Sequence, residues 1–292
     1  MVDRFPPDAI YLYDAWINEW VFVISLGVLG LEAVRYLLRK KLTWKLVGDS
    51  VTNFVTFYAV LGIIIATAAV YVGGYYYVHE NFAVADLPIN GWTIAACIVL
   101  ADLAYYWEHR ATHRIGIGWA THTVHHSSPH FNISVAYRFG PLDAFVPFIF
   151  NLPLLVIGFN PAVVLLSESM VLLYQTFLHT EAVGKLPRPV EAVMNTPSHH
   201  RVHHGTNPQY IDKNYAGVFI IWDKMFGTFA EENEKVVYGI TEPINSINPI
   251  TVFFHGITRL TRRVASAKGI RNKAAYLIRP PGWAPAAGGD ST

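Results

Sequence analysis

Eleven of the thirteen histidines in this 292-residue chain fall between His109 and His204, and they come in spaced groups. His109 and His113 are four apart, His122, His125 and His126 follow, His179 stands alone, and His199, His200, His203 and His204 form the last run. Residues three or four apart share one face of a helix, so each group can aim its imidazoles at one point. With His179 this gives nine convergent nitrogens, or ten if His199 turns inward. One metal ion accepts about four to six ligands, so two ions are the economical reading. Any fold open to the chain must bring these separated segments to a common centre.

Composition says what surrounds that centre. Apolar residues make up 52% of the chain and aromatic ones 14%, mean hydropathy is +0.29, and charged residues are only 15%, against about 25% in soluble domains. This is the balance of a membrane protein. A net charge of +1 provides no global field to recruit nucleic acid, and no such partner is expected. The single Cys97 excludes an internal disulfide framework and a cysteine-based zinc site, and reads as a small apolar filler in a membrane helix. The first residues lack a basic region followed at once by an apolar stretch, so no cleavable signal peptide is expected.

Crossing a hydrocarbon layer of ~30 Å takes about 20 mostly apolar residues. The stretches that come close are Trp20 to Leu38, Phe54 to Tyr77, Trp92 to Trp107, Leu142 to Phe159 and Val163 to Leu178. The last two, joined at Asn160-Pro161, read as a helical hairpin. The expected fold class is an all-α integral membrane protein with four to five transmembrane helices. A cytoplasmic helical cap would hold the histidine-rich dimetal site. Its expected parts are N-terminal membrane helices (1–108), a catalytic region (109–230) that includes the hairpin (142–178), and a basic cytoplasmic tail (231–292). Phe219 to Phe226 is apolar but too short to span, and fits a buried or interfacial segment of the cap. The ending from Arg279 has the Pro, Gly and Ala content of a poorly ordered tail.

Basic residues flanking spans stay on the cytoplasmic side. Arg35, Arg39, Lys40, Lys41 and Lys45 follow the first apolar segment, while 78–90 holds no Lys or Arg. The first span then ends inside, the second outside and the third inside. That puts His109 at the cytoplasmic mouth of the third span, and the hairpin returns His179 to the same side. The tail, with Arg259, Arg262, Arg263, Lys268, Arg271 and Lys273, is cytoplasmic as well. Aromatic belts agree: Tyr11, Trp16, Trp20 and Tyr75 to Tyr77 outside, Trp107 and Trp119 inside.

Acids inside apolar spans are expensive and usually functional. Asp102 lies seven residues before His109, and Glu168 eleven before His179 with Gln175 on the same stripe. Along one helix those separations are ~10 and ~16 Å. These three side chains are therefore expected to serve histidine rings on neighbouring segments, since a ligating imidazole normally donates its other N–H to a polar group.

Three strings carry a resemblance: DLAYYWEHRATH (Asp102 to His113), HTVHHSS (His122 to Ser128), and NTPSHHRVHHGTNPQYIDKNYAGVFIIWDKMFGTF (Asn195 to Phe229). Together they resemble the fatty acid hydroxylase/sterol desaturase superfamily, and the last is most similar to the branch containing alkylglycerol monooxygenase. The resemblance spans roughly Asp102 to Phe229. It implies an integral-membrane, non-haem di-iron enzyme that uses O2 on an unactivated C–H bond of a lipid, such as a sterol, an alkylglycerol, or a fatty acyl or ornithine lipid. By position the metal ligands would be His109, His113, His122, His125, His126, His179, His200, His203 and His204, with His199 a possible tenth. His79, His130 and His255 fall outside the boxes. Asn132, Tyr137 and Arg138 are candidates to line the lipid slot, and Asp212 to Tyr215 is expected to form a turn bracing the last box.

Imidazole suits iron, zinc, copper and nickel alike, so spacing does not name the metal, and zinc can replace iron on overexpression. The sequence has no Glu-x-x-His pair of a carboxylate di-iron bundle and no His-Glu-x-x-His of a zinc protease. With no His-Pro-Gly-Gly haem signature either, electrons are expected from an external donor: a cytochrome b5-like protein, a ferredoxin or a reduced pterin. A desaturase on the same scaffold is the nearest alternative. A metal transporter is remote, because its ligands would sit near the bilayer midplane. The expected setting is a bacterial inner membrane or the endoplasmic reticulum.

Overall fold

Two long apolar helices frame the molecule. The computed structural model describes residues 5–285; the structure of the end from Ala286, and so half of the tail expected to be poorly ordered, lies outside them. Helix α1 runs over Pro7–Leu38 and α2 over Trp44–Phe82. They are about 48 and 58 Å long at 1.5 Å per residue, more than the ~30 Å of a hydrocarbon layer. Their most apolar stretches are only 11% buried, with Trp16, Val23, Leu31, Val55, Ile65 and Val70 facing outward. A ring of outward apolar side chains costs nothing in lipid, and both helices are long and apolar enough to cross a membrane.

Both helices begin earlier than hydropathy indicates. Helix α1 starts after Pro6, not at Trp20, because Asp14 and Asn18 satisfy each other along one face and Asn18 also reaches Ser169. Helix α2 starts at Trp44, where Thr43 accepts from the Leu46 N–H. The polar residues that hide its first turns, Asp49, Thr52, Asn53 and Thr56, are all buried and lie on one helical stripe.

Helix α3 (Gly91–Arg114) opens with a reciprocal cap between Asn90 and Thr93 and runs unbroken through His109 and His113. The division expected at 108/109 therefore falls inside a helix. After the single extended residue Ile115 comes α4 (Gly116–His126), which carries the second histidine group. A 3-10 turn over Ile133–Tyr137 leads into the hairpin of α5 (Val146–Ile157) and α6 (Pro161–Thr176). At 12 residues α5 is shorter than the span expected there, while α6, at 16 residues, has the expected length and begins two residues earlier. Three short helices follow, α7 (Arg188–Val193), α8 (Pro197–His203) and α9 (Ile221–Met225), then α10 (Pro249–Ser266) and α11 (Gly269–Ile278). Among the described residues no strand forms; two isolated bridges, Met194 to Phe219 and Gly205 to Tyr238, are the only β-type pairings.

The apolar core lies between α2, α3, α5 and α6, around Tyr75, Cys97, Ala101, Leu155, Phe159 and Val164. The hairpin tip is at Asn160-Pro161 as expected, with Asn160 accepting from the Ala162 N–H at 2.9 Å. It is pinned to the α2–α3 connection by Val84 N–H to Val156 O (2.8 Å) and Leu87 N–H to Gly158 O (3.0 Å). The histidine groups gather at the opposite ends of α3 and α6.

Gly158 closes α5 with φ +115°, and a Cβ there would collide with the Ala85 carbonyl. Gly158→Val should therefore cost roughly 1–3 kcal/mol in backbone strain alone, lowering the unfolding temperature in detergent by several degrees. An unchanged melting curve would show that the tip tolerates a side chain.

Candidate metal centre

Nine histidines from four elements meet in two adjoining groups. His109, His113, His122, His126 and His203 form one, and His125, His179, His200 and His204 the other; in each, the nearest ring nitrogens lie within 4.8 Å of one another. The nine are the eight grouped by spacing together with the lone His179. Helix α3 supplies the i, i+4 pair and α4 the three that follow. His179 comes just past the end of α6, and α8 with its C-cap supplies the last three. Nitrogen-to-nitrogen distances are short: His109 to His122 3.0 Å, His122 to His126 3.2 Å, His126 to His203 3.0 Å. In the second group His125 to His179 is 3.3 Å, His179 to His200 2.9 Å and His200 to His204 3.2 Å.

The opposite ring nitrogens decide what these contacts are. Nδ1 of His109 meets the Tyr215 carbonyl at 2.8 Å, His125 that of Arg138 at 3.3 Å, His179 that of Gln175 at 2.9 Å and His203 that of Lys213 at 2.9 Å. A carbonyl only accepts, so these Nδ1 atoms carry the protons and each Nε2 is a bare lone pair. His125 and His179 thus face each other lone pair to lone pair at 3.3 Å, with no proton to share. Nε2 of His113 is likewise buried without a partner. Donors about 2.1 Å from one cation and at right angles around it would be ~3 Å apart. The donor set fits resident metal ions.

Burial reinforces the neutral state. It holds the His179 imidazole down at about 4, against the Gln175 and Thr176 carbonyls that favour the charged ring. His125, His200 and His204 are pushed well below the ordinary range, first by burial and then by neighbouring imidazoles. At the edge, burial works against the Asp212 carboxylate, but His113 and Arg114 beside it hold it at about 2. Asp212 lies 3.7 Å from His113 Nδ1 and 2.6 Å from Arg114.

The turn expected at Asp212 to Tyr215 is found over 208–212 instead, and the irregular stretch that begins at its end has Asp212 and Asn214 at φ +61° and +57°. Its Lys213 and Tyr215 carbonyls hold one ring each. Asn214 fastens it by donating to the His199 and Ala230 carbonyls at 3.0 and 2.8 Å. Asp223 then accepts from the Tyr215 and Ala216 N–H groups, both at 2.8 Å. Asp102 accepts from Val218 N–H (2.6 Å), Phe219 N–H (2.9 Å) and Trp222 Nε1–H (2.8 Å).

Several assignments change as a result. Asp102 touches no histidine ring; it holds the strap that presents the Tyr215 carbonyl. Glu168 accepts from Asn151 at 2.9 Å and lies 3.5 Å from the Tyr71 hydroxyl, because α6 turns it into the bundle rather than toward the cap. Gln175 serves His179, but through its backbone carbonyl. His199 points away from both groups: its Nε2 is 3.0 Å from Glu191 and its Nδ1 3.4 Å from Thr196. The slot candidates all make contacts within the fold. Arg138, fully buried, pairs with Asp49 at 3.0 Å, donates to Asn53 (2.7 Å) and caps α4 through the Val124 carbonyl (2.8 Å). Tyr137 stacks among Phe22, Phe54 and Phe57. Asn132 accepts from the Ser134 N–H at the head of the 3-10 turn.

Sequence reasoning passed over Asp49, Asp223 and Glu32. Glu32, buried in α1, accepts from Ile133 N–H (3.0 Å) and Thr180 Oγ (2.5 Å), beside His179. The rule that flagged Asp102, an acid in an apolar run, applies equally to Glu32 and Asp223.

The first group opens onto a cleft of about 250 Å³ lined by His113, His126 and His203 together with Trp119, Asp212 and Pro280–Gly282. On the bundle side the Tyr105 ring lies 5.2 Å from that of His109 and borders a cavity of about 10 Å³ with Glu108 and Glu168.

A family model for fatty acid hydroxylase matches residues 94–228, the stretch that holds all nine histidines. This segment belongs to the fatty acid hydroxylase family. The chain is 46% identical over 212 residues to alkylglycerol monooxygenase of Homo sapiens, covering 72% of this chain and 47% of that protein. The Danio rerio alkylglycerol monooxygenase is 44% identical over 218 residues (74% and 48%). An ornithine lipid hydroxylase of Rhizobium tropici is 28% identical over 152 (52% and 45%). The chain thus spans about half the length of the curated relatives it matches. No solved structure matches it.

Two outcomes follow from the geometry. His199→Ala should leave bound metal unchanged by elemental analysis, whereas His200→Ala should lose at least one ion per chain; equal loss would put His199 back among the ligands. A free imidazole titrates near 6.5, and His179 near 4 when folded. Between these values the unfolded chain takes up a proton that the folded chain refuses, so stability falls as pH drops through that window. Metal-free protein should melt progressively earlier from about pH 6.5 downward, and a flat profile in thermal scans would contradict the buried neutral imidazoles.

Proposed function

We propose that the chain is an O2-dependent, non-haem di-iron membrane monooxygenase that hydroxylates an unactivated C–H bond of a lipid. The observation that carries this reading is the facing lone pairs of His125 and His179, inside a nine-imidazole site, in a fatty acid hydroxylase segment. One iron would be held by His109, His113, His122, His126 and His203, the other by His125, His179, His200 and His204. Bound iron supplies the redox chemistry that activates O2, which no side chain here provides. The reaction balances as RH + O2 + 2 electrons + 2 protons giving ROH + H2O.

The chain's own residues bind, orient and exclude water. Carbonyls of Tyr215, Arg138, Gln175 and Lys213 fix four tautomers and leave each Nε2 free to ligate. The bundle of α3, α5 and α6 meets the site at His109 and His179, so a lipid chain in the bilayer reaches it from the apolar side. The cleft beside His113 and Asp212 meets it from the polar side, where an external donor, a cytochrome b5-like protein, a ferredoxin or a reduced pterin, would deliver electrons. We place the substrate among lipids of the kind named for the relatives, an alkylglycerol or an ornithine lipid. In the membrane we infer that α1, α2 and α3 cross and that the α5–α6 hairpin enters and returns. The histidine site and the basic segments then face the cytoplasm, in accord with the Lys and Arg asymmetry.

The test is lipid mass spectrometry of cells with and without the chain. We expect a lipid species 16 mass units heavier, or its breakdown products, in an extract of cells that express it. His109→Ala, His125→Ala, His179→Ala and His203→Ala should each remove the product while the purified protein keeps its helical content. Loss of two mass units instead would mark desaturation, and full activity in two of the four variants would dismiss the site as the catalytic centre.

A further inference from the structure

The histidine site does not use α10 and α11, yet their composition is peculiar. Between residues 243 and 285 there are seven lysines and arginines and no acidic residue. Helix α10 buries Val252, Phe253 and Gly256 against α4 and leaves Ile250, Phe254, Thr258 and Arg262 outward, four residues apart. Helix α11 buries nothing. Ile270, Ala274 and Leu277 form an exposed apolar stripe along it, flanked by Arg271 and Lys273, and Ile278 is exposed at its end. An apolar stripe bordered by basic side chains is the pattern of a helix lying in a membrane interface.

Position agrees with pattern. The segment leading into α10 meets α2 near its start, where Thr52 Oγ donates to the Ile247 carbonyl at 2.5 Å. That end of α2 carries Lys45 and follows the connection bearing Arg39, Lys40 and Lys41. We propose that the outer faces of α10 and α11 form a seat for anionic lipid headgroups, with the apolar stripe of α11 inserted among the acyl chains. The inference rests on α1 and α2 crossing the membrane and not on the oxygenase reading. A soluble acidic protein would answer the charges but not the exposed Ile270, Leu277 and Ile278, so the lipid surface is the better fit.

The seat has a consequence for the cleft. Tyr276 of α11 lies with its carbonyl against Gly116 at the start of α4, where no side chain fits. Arg263 of α10 donates to the Pro281 carbonyl at 2.7 Å, and Pro280–Gly282 form one wall of the cleft. Lipid that holds α10 and α11 down also holds that wall.

Amide hydrogen exchange of the intact protein in lipid nanodiscs tests this without reference to activity. In discs of phosphatidylcholine with about one third phosphatidylglycerol, exchange over 269–279 should slow at least roughly tenfold relative to phosphatidylcholine alone. Arg262→Gln, Arg271→Gln and Lys273→Gln combined should erase that difference, as should about 0.5 M salt. Exchange unaffected by phosphatidylglycerol, or slowed equally in the triple variant, overturns the proposal. So does slowing that appears only when a cytochrome b5-type acidic protein is added to discs of either composition.

Discussion

Everything in the cap answers to one electrostatic constraint: unprotonated nitrogens held about as close as hydrogen-bonded atoms, with nothing to bond between them. The His125 and His179 pair makes this explicit, since both Nδ1 protons are committed to carbonyls. Protonating the rings would relieve the lone pairs but place several charges in a buried site, which burial forbids. A shared cation resolves both problems at once. A resident ion would link folding of this region to metal binding.

The second layer of the design is a set of buried acids, none of which reaches a histidine as a close hydrogen-bond acceptor. Asp102, Asp223 and Glu32 each accept two or three hydrogen bonds from backbone N–H or hydroxyl groups. Buried carboxylates are tolerated when satisfied in this way and costly otherwise. Asp102 and Asp223 fasten the strap from Tyr215 to Trp222, whose Tyr215 carbonyl sets His109. Asp49 holds Arg138, whose backbone sets His125 and whose guanidinium caps the helix carrying His122, His125 and His126. The acids therefore act on the rings through the main chain, and loss of one would shift a carbonyl rather than a ligand.

This explains what could and could not be read from sequence. Eight of the nine convergent histidines were legible because i, i+3 and i+4 spacing fixes a helical face whatever the rest of the fold does, and His179, which stands alone, was added to them. His199 was ambiguous for the same reason: in a run of four, the helical period alone leaves one residue facing away, and only its pairing with Glu191 shows which. Helix ends were misplaced where hydropathy was the guide, as at Asp14 and Asn18 in α1 or Asp49 and Asn53 in α2, because polar side chains satisfied by another helix look like loop. The link from Asp102 to the strap was invisible, since it joins residues more than a hundred positions apart through backbone groups that carry no signature.

The two histidine groups are also unlike each other, and the fold makes them so. Five imidazoles surround one position and four the other, both fewer than the six that a first-row ion accepts at most. The five-membered group borders the polar cleft through His113, His126 and His203. The four-membered group is enclosed, with Phe131 against His179 and His204 and Tyr238 stacked on Phe131. A site that borders a cleft on one side and is walled by aromatic rings on the other gives its two halves different access to solvent. That difference arises from where α3 and α6 end: both deliver a histidine as they leave the apolar bundle, and the cap closes over them from the other side.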